Sequence, residues 1–284
     1  MLLKRIKSDS GLMGPTHALS SIAIALLLTW LASDFMLGTV LGSDSAIVFI
    51  AALIIIVGAS LMPDLDAVQS TSINTLGIVG SILSKAMRGF SSIVQSVIRS
   101  SSDAVDADPH RGFWHTIVAA ILMGFLTFTL TNIDVTLFTI SGVEVSVALF
   151  VIIFIIFISI QLLIASLFKS IHKKTKGNLN GKILIRLGSL FVATVLVVML
   201  PEGLDYKWVG AAVAFGWIAH LLGDMMTVSG VPILFPLKFK GKRWWNFRFP
   251  LGIKAGGWFE KAILMPLFGA IAIISAIFII PILS

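Results

Sequence analysis

Apolar residues fall into seven long runs, at about 18–33, 46–62, 115–131, 143–168, 183–200, 208–224 and 262–283. Each approaches the roughly 20 residues that a helix needs to cross a bilayer core. The pattern predicts seven membrane-spanning helices, with the fourth long enough to tilt and the sixth the least apolar. Residues 73–98 differ. Apolar side chains recur there at helical spacing with Ser, Lys and Arg between them. That pattern predicts a helix lying in the membrane interface, or a re-entrant piece, rather than a span. Residues 99–109 (RSSSDAVDADP) read as a loop. No internal repeat and no soluble domain boundary interrupts the chain, so 1–284 is read as one membrane domain.

Composition supports this class. The chain is 57% hydrophobic and 12% charged, whereas soluble domains carry about 25% charged residues. Mean hydropathy is +1.01. The fold class expected is therefore an all-α, polytopic integral membrane protein. The start MLLKRIKSDSGLMGPTH faintly resembles a signal peptide, but His17 and the lack of a small-residue cleavage site favour a retained first span. With no cysteine, disulfides, thiolate metal sites and a cysteine nucleophile are excluded.

The net charge of +7 lies in the loops. Of the 21 Lys and Arg residues, only Lys207 lies in the segments that would face one side; the rest fall on the other. By the positive-inside rule this predicts a cytoplasmic N-terminus and an outer C-terminus, in the cell (inner) membrane. The charge then follows from topology, and a nucleic-acid partner is not expected. The stretch KFKGKRWWNFRFP, mixing cations with Trp and Phe, suits the headgroup layer.

Four polar clusters stand at the ends of spans that this topology places on the basic side: Pro15-Thr16-His17, Pro63-Asp64-Leu65-Asp66, His110-Arg111-Gly112-Phe113-Trp114-His115 and His220-Leu221-Leu222-Gly223-Asp224. In a helix, positions four apart share a face, so His220 and Asp224 have metal-ligand spacing. An ionisable pair at the end of an apolar segment is a functional-site hypothesis by default. Four of the five histidines belong to these clusters; the fifth, His172, reads as a solvated residue of a basic loop.

Imidazole and carboxylate donors suit zinc, manganese or iron. His17, Asp64, Asp66, His110, His115, His220 and Asp224 are the candidate ligands, enough for one or two divalent ions, with zinc favoured. Two ions can clamp a phosphoester between them. Arg111 can hold a phosphate oxygen in its fork, and whichever of Asp64 and Asp66 is not a ligand can serve as general base. Met225-Met226 reads as packing, and Gly230-Val231-Pro232 as turn chemistry after the sixth span.

These residues resemble a known family, the YdjM-like membrane-bound metal-dependent hydrolases. Its motifs stand here as Thr16-His17, PDLD at 63–66, HRGFWH at 110–115 and HLLGDMMTVSGVPILFP from His220 to Pro236. Trp114 departs from the family, which more often has Thr before the histidine. The HxxxD pattern with upstream His and Asp also resembles the zinc-dependent phospholipase C and nuclease P1 group. That likeness implies His17, an Asp of the PDLD pair, one of His110 and His115, His220 and Asp224 as ligands. No histidine follows Asp224, so a one- or two-metal site is expected instead of three zincs.

The expected function is metal-dependent hydrolysis, most naturally of a phosphoester in a lipid or other amphiphile at the membrane surface. Two rivals belong to other classes. A carrier for a metal ion or small solute would need polar residues continuing along the spans, where only Ser159, Gln161 and Thr194 offer themselves. A structural or stress-response protein would use the metal as a closed, fully liganded staple.

Overall fold

The computed structural model describes residues 12–67, 71–103, 109–140, 143–167, 179–250 and 252–283. Lys4, Arg5 and Lys7, the basic loop with His172, and part of the 99–109 loop lie outside them. Helices dominate: α1 (Gly14–Leu31), α2 (Ala46–Ala59), α3 (Thr71–Leu76), α4 (Ile78–Val97), α5 (Ile117–Thr131), α6 (Val147–Leu167), α7 (Leu179–Val198), α8 (Lys207–Met225) and α9 (Met265–Leu283). The protein is an all-α polytopic membrane protein.

Six segments among the described residues are long and apolar enough to cross a bilayer: Gly14–Leu31, Ala46–Asp66, Val147–Leu167, Gly181–Val198, Lys207–Met225 and Glu260–Leu283. The remaining run of the seven forms α5, which has 15 residues. At 1.5 Å per residue it rises only about 22 Å. It is short because the chain before it is committed elsewhere: Phe113–His115 form a 3-10 turn, and extended Thr116 caps the helix by accepting from the Ala119 amide at 3.1 Å. Even so, α5 takes the place of a pass. It runs antiparallel to α8, with Trp114 O accepting from Trp217 Nε1 at one end and Thr131 beside Tyr206 at the other.

A second difference follows α5. Thr136–Ile140 (β1) and Val143–Ser146 (β2) pair as an antiparallel hairpin with Thr136 opposite Ser146. The fourth run therefore becomes helical at Val147, after four residues of strand.

Helix directions place the functional end. At one end of α1, Met13 N donates to Glu260, and at the other Trp30 stacks on Phe278 at 4.7 Å, so α1 and α9 are parallel. α2 and α8 are also parallel and closely packed: a Cβ on Gly216 would lie 2.2 Å from the Ile56 carbonyl oxygen. Small residues at such crossings let membrane helices approach through van der Waals contact. Trp208 and Trp217 of α8 are fully buried in the main core with Ile55, Ile152 and Ile156. The starts of α1, α5 and α9 and the ends of α2 and α8 thus meet at one end of the bundle.

The interfacial segment is broken where the sequence predicts continuity. Gly77 adopts φ 64°, which divides α3 from α4. The polarity of α4 is inverted relative to a soluble helix: Gly80, Ser84, Met87, Ser91 and Gln95 are buried, while Ile78, Ile82, Ile93 and Val97 are exposed. Its inward stripe packs over the turns that carry the PDLD and HRGFWH clusters. The apolar side faces outward, as a helix at a membrane surface requires.

Candidate metal centre

Each cluster is held by backbone it did not choose alone. Pro63 opens a 3-10 turn over Pro63–Asp66 at the end of α2 and lodges Asp66 in the interior. The HRGFWH segment is stitched to α4, because Phe113 N donates to Ser91 Oγ at 3.0 Å and Trp114 Nε1 donates to Met87 O at 2.7 Å. A Cβ on Gly112 would sit 2.1 Å from Ser91 Oγ, so only glycine allows this approach. His220 and Asp224, one turn apart on α8, are both buried.

Four side-chain atoms from three parts of the chain form a closed ring. Asp64 Oδ1 lies 3.7 Å from His115 Nε2, and His115 Nε2 lies 3.7 Å from Asp224 Oδ2. Asp224 Oδ2 is 3.6 Å from His220 Nε2, which is 3.8 Å from Asp64 Oδ1. A tetrahedral ion with bonds of about 2.0–2.2 Å separates its ligand atoms by about 3.3–3.6 Å. The ring is slightly wider than that. Three of its atoms, His115 Nε2, His220 Nε2 and Asp224 Oδ2, are buried without a hydrogen-bond partner. Leaving buried polar atoms unpaired costs about 1–3 kcal/mol each, and a shared cation would relieve all three.

The outer contacts aim these donors. His220 Nδ1 donates to the Ser60 carbonyl at 2.8 Å; a carbonyl only accepts, so the proton is on Nδ1 and the Nε2 lone pair faces the ring. His110 Nδ1 is bonded to Asp66 Oδ1, and its Nε2 lies 3.9 Å from Asp64 Oδ1. Such outer partners fix the tautomer and orientation of metal-binding histidines. His17 stacks on His220 with ring centroids 4.0 Å apart, its Nε2 3.2 Å from Asp224 Oδ1. The same oxygen accepts from the Leu12 amide at 3.2 Å.

Burial disfavours charge on both histidines of the HRGFWH segment, with opposite results. At His115 burial wins and pushes the pKa down, which keeps the ring neutral. At His110 the bond to Asp66 and the charges of Asp66 and Asp64 outweigh burial and raise the pKa to about 9.

Two triads could hold a metal ion: His17, His220 and Asp224, and Asp64, His110 and His115. The ring joins them. Asp66 lies outside both triads: Oδ1 is bonded to His110 Nδ1, and Oδ2 lies 3.9 Å from His115 Nδ1. Arg111 is in use as a clasp, donating through Nη1 to the Gly230 carbonyl at 2.6 Å and so fastening the loop after α8. Met225 and Met226 pack in the interior and against Leu12, Ile253 and Leu264, as expected. Trp244 stacks on Phe235 at 4.2 Å and donates through Nε1 to Ile98 O, while Lys240 lies over Trp245.

Two supports escaped the sequence reading. Ser60 contributes only its carbonyl, which no side-chain pattern reveals. Glu260 is fully buried, with Oε1 accepting from Met13 N and Oε2 from Gly256 N, both at 2.6 Å. A lone acid at the head of the last apolar run was the available signal for it.

The family model described as YdjM inner membrane protein matches residues 12–283. The chain belongs to the YdjM inner membrane protein family. The YdjM match begins at Leu12, whose amide bonds Asp224, and takes in every candidate ligand. No curated protein and no solved structure matches the chain, and none of these comparisons carries the likeness to the phospholipase C group.

Proposed function

We propose that this YdjM-family chain is a metal-dependent hydrolase acting on a phosphoester of a lipid or other amphiphile at the membrane surface. The observation that carries the reading is the ring of Asp64, His115, Asp224 and His220, with three unpartnered buried donor atoms facing one another. Its oxygen and nitrogen donors favour zinc, with manganese or iron as alternatives. When bound, such an ion polarises a phosphoryl oxygen and lowers the pKa of water.

The protein's own groups divide the remaining work. His115, His220 and Asp224 hold the ion from the buried side. Asp66 is occupied by His110 and therefore positions it, while Asp64 closes the ring through Oδ1 and accepts the proton of an attacking water through its other carboxylate oxygen. Arg111, beside His110 in the chain, supplies positive charge for a phosphate oxygen as well as its bond to Gly230. The side chains of Asp64 and the neighbouring His110 are 22% and 16% exposed, while the other ring members, His115, His220 and Asp224, are buried. An edge open to substrate favours catalysis over a closed staple. A carrier reading has less support: Ser159 and Gln161 are buried in α6, but Thr194 lies on the exposed face of α7, bonded to Leu190 O.

The test is turnover of phospholipids and of a chromogenic phosphodiester by detergent-purified protein, with Asp224→Ala beside it. Hydrolysis that a chelator and Asp224→Ala both abolish supports the reading. Full metal content without turnover of any phosphoester would leave the staple as the better account.

A further inference from the structure

We propose that the α3–α4 bend and α7 form a binding site for one anionic phospholipid, separate from the metal centre. A cavity of about 440 Å³ at this bend is lined by Ile73, Gly77, Ile78, Ser81, Ile82 and Lys85. Arg186 of α7 lies beside this bend: a Cβ on Gly77 would lie 2.3 Å from its Nη2, which donates to the Thr75 carbonyl at 3.5 Å. The lining therefore combines three isoleucines with an ammonium and a hydroxyl, and a guanidinium stands next to its Gly77.

Among the described residues no ion pair with a carboxylate involves the cations here. No Asp or Glu occurs between Asp66 and Asp103, or between Glu144 and Glu202. The segments around the cavity thus carry Lys85, Arg88, Lys182 and Arg186 without an acidic residue. Cations near a membrane surface attract anionic lipid. A free phosphate would satisfy the cations but not the apolar wall. Ile78 and Ile82 are 80% and 64% exposed, and Ile183, Leu184 and Leu187 of α7, around Arg186 in the chain, are exposed as well. A phospholipid meets both needs, its phosphate on Lys85 and Arg186 and its glycerol and upper acyl chain along the isoleucines. Because α4 also packs over the turns that hold Asp64, His110 and His115, the bound lipid would brace that cover from outside.

The experiment uses the full chain in nanodiscs of phosphatidylcholine mixed equally with phosphatidylglycerol, followed by gentle extraction and native mass spectrometry of retained lipid. Wild type should retain phosphatidylglycerol in preference to phosphatidylcholine. Lys85→Gln should weaken that retention about fivefold, and Lys85→Gln with Arg186→Gln about fivefold again. The exposed Lys85 variant keeps the test valid if the double variant misfolds. Metal content on the same samples should not change. Equal retention by wild type and Lys85→Gln, or no preference between the two lipids, would overturn the proposal. Displacement of the lipid by millimolar inorganic phosphate would reassign the site to free phosphate and overturn it as well.

Discussion

His110 donates its Nδ1–H to Asp66 Oδ1, which turns the Nε2 of the same ring toward Asp64, 3.9 Å from its Oδ1. The carboxylate at the closed end of the PDLD turn thereby orients a histidine for the one at its open end. Asp66→Asn should keep the fold and lower metal affinity by about 10–100-fold, the usual cost of losing an outer partner. Competition against a chelator measures it. A loss as complete as that of Asp224→Ala would make Asp66 a direct ligand.

Gly216 sets the distance between the two helices that carry Asp64 and the His220–Asp224 pair. A methyl group there would collide with the Ile56 carbonyl, and overpacking of this kind costs about 1–3 kcal/mol. Gly216→Ala should lower both the unfolding temperature in detergent and the metal content. Gly38→Ala, where a Cβ meets nothing within 4 Å, should change neither.

Glu260 holds two backbone amides with two acceptor oxygens. Glutamine would turn one acceptor into a donor facing an N–H. Glu260→Gln should destabilise the protein by about 1–3 kcal/mol and raise hydrogen exchange at Leu12 and Met13. Unchanged exchange there would mean that Glu260 does not hold the start of α1.

Asp103 pins the loop after α8 to the end of α4. Burial opposes its charge, but hydrogen bonds from Ser100 N and Oγ, Trp244 N and Arg243 N outweigh it and depress its pKa. A carboxylate depressed in the folded state adds stability above its unfolded pKa, near 3.9, and loses it as pH falls through the folded value. Exchange protection around 241–244, taken relative to the intrinsic rate at each pH, should therefore be high at neutral pH and fall in strong acid. In Asp103→Asn it should be low throughout.

Much of this architecture is legible in the sequence because a bilayer imposes simple rules. Each apolar run contains a helix, although the fourth opens as a strand and the third yields only 15 residues of helix. Clusters at alternating span ends had to meet at one end of the bundle. That is why His17, Asp64, His110, His115, His220 and Asp224 converge although the chain scatters them. What escaped reading depends on backbone and on packing direction. The break at Gly77 needs a positive φ that one glycine among 24 does not announce. The inverted polarity of α4 depends on what lies beneath it. Of the β1–β2 hairpin, β1 lies in the gap between two apolar runs, while β2 reads as part of the fourth run because Val143 and Val145 continue its apolar pattern. Ser60 acts through its carbonyl, and Arg111 is partly taken up by Gly230, a contact that motif spacing cannot show.

The central claim is that the ring of Asp64, His115, Asp224 and His220 binds a divalent ion. Its most direct test is metal content by mass spectrometry on protein purified in detergent, beside His220→Ala and Asp224→Ala. The account predicts one or two zinc, manganese or iron ions per chain in wild type, lost in both variants while the fold is kept. Wild-type protein that holds no metal after reconstitution with these ions, and matches well-folded variants in this respect, would contradict it.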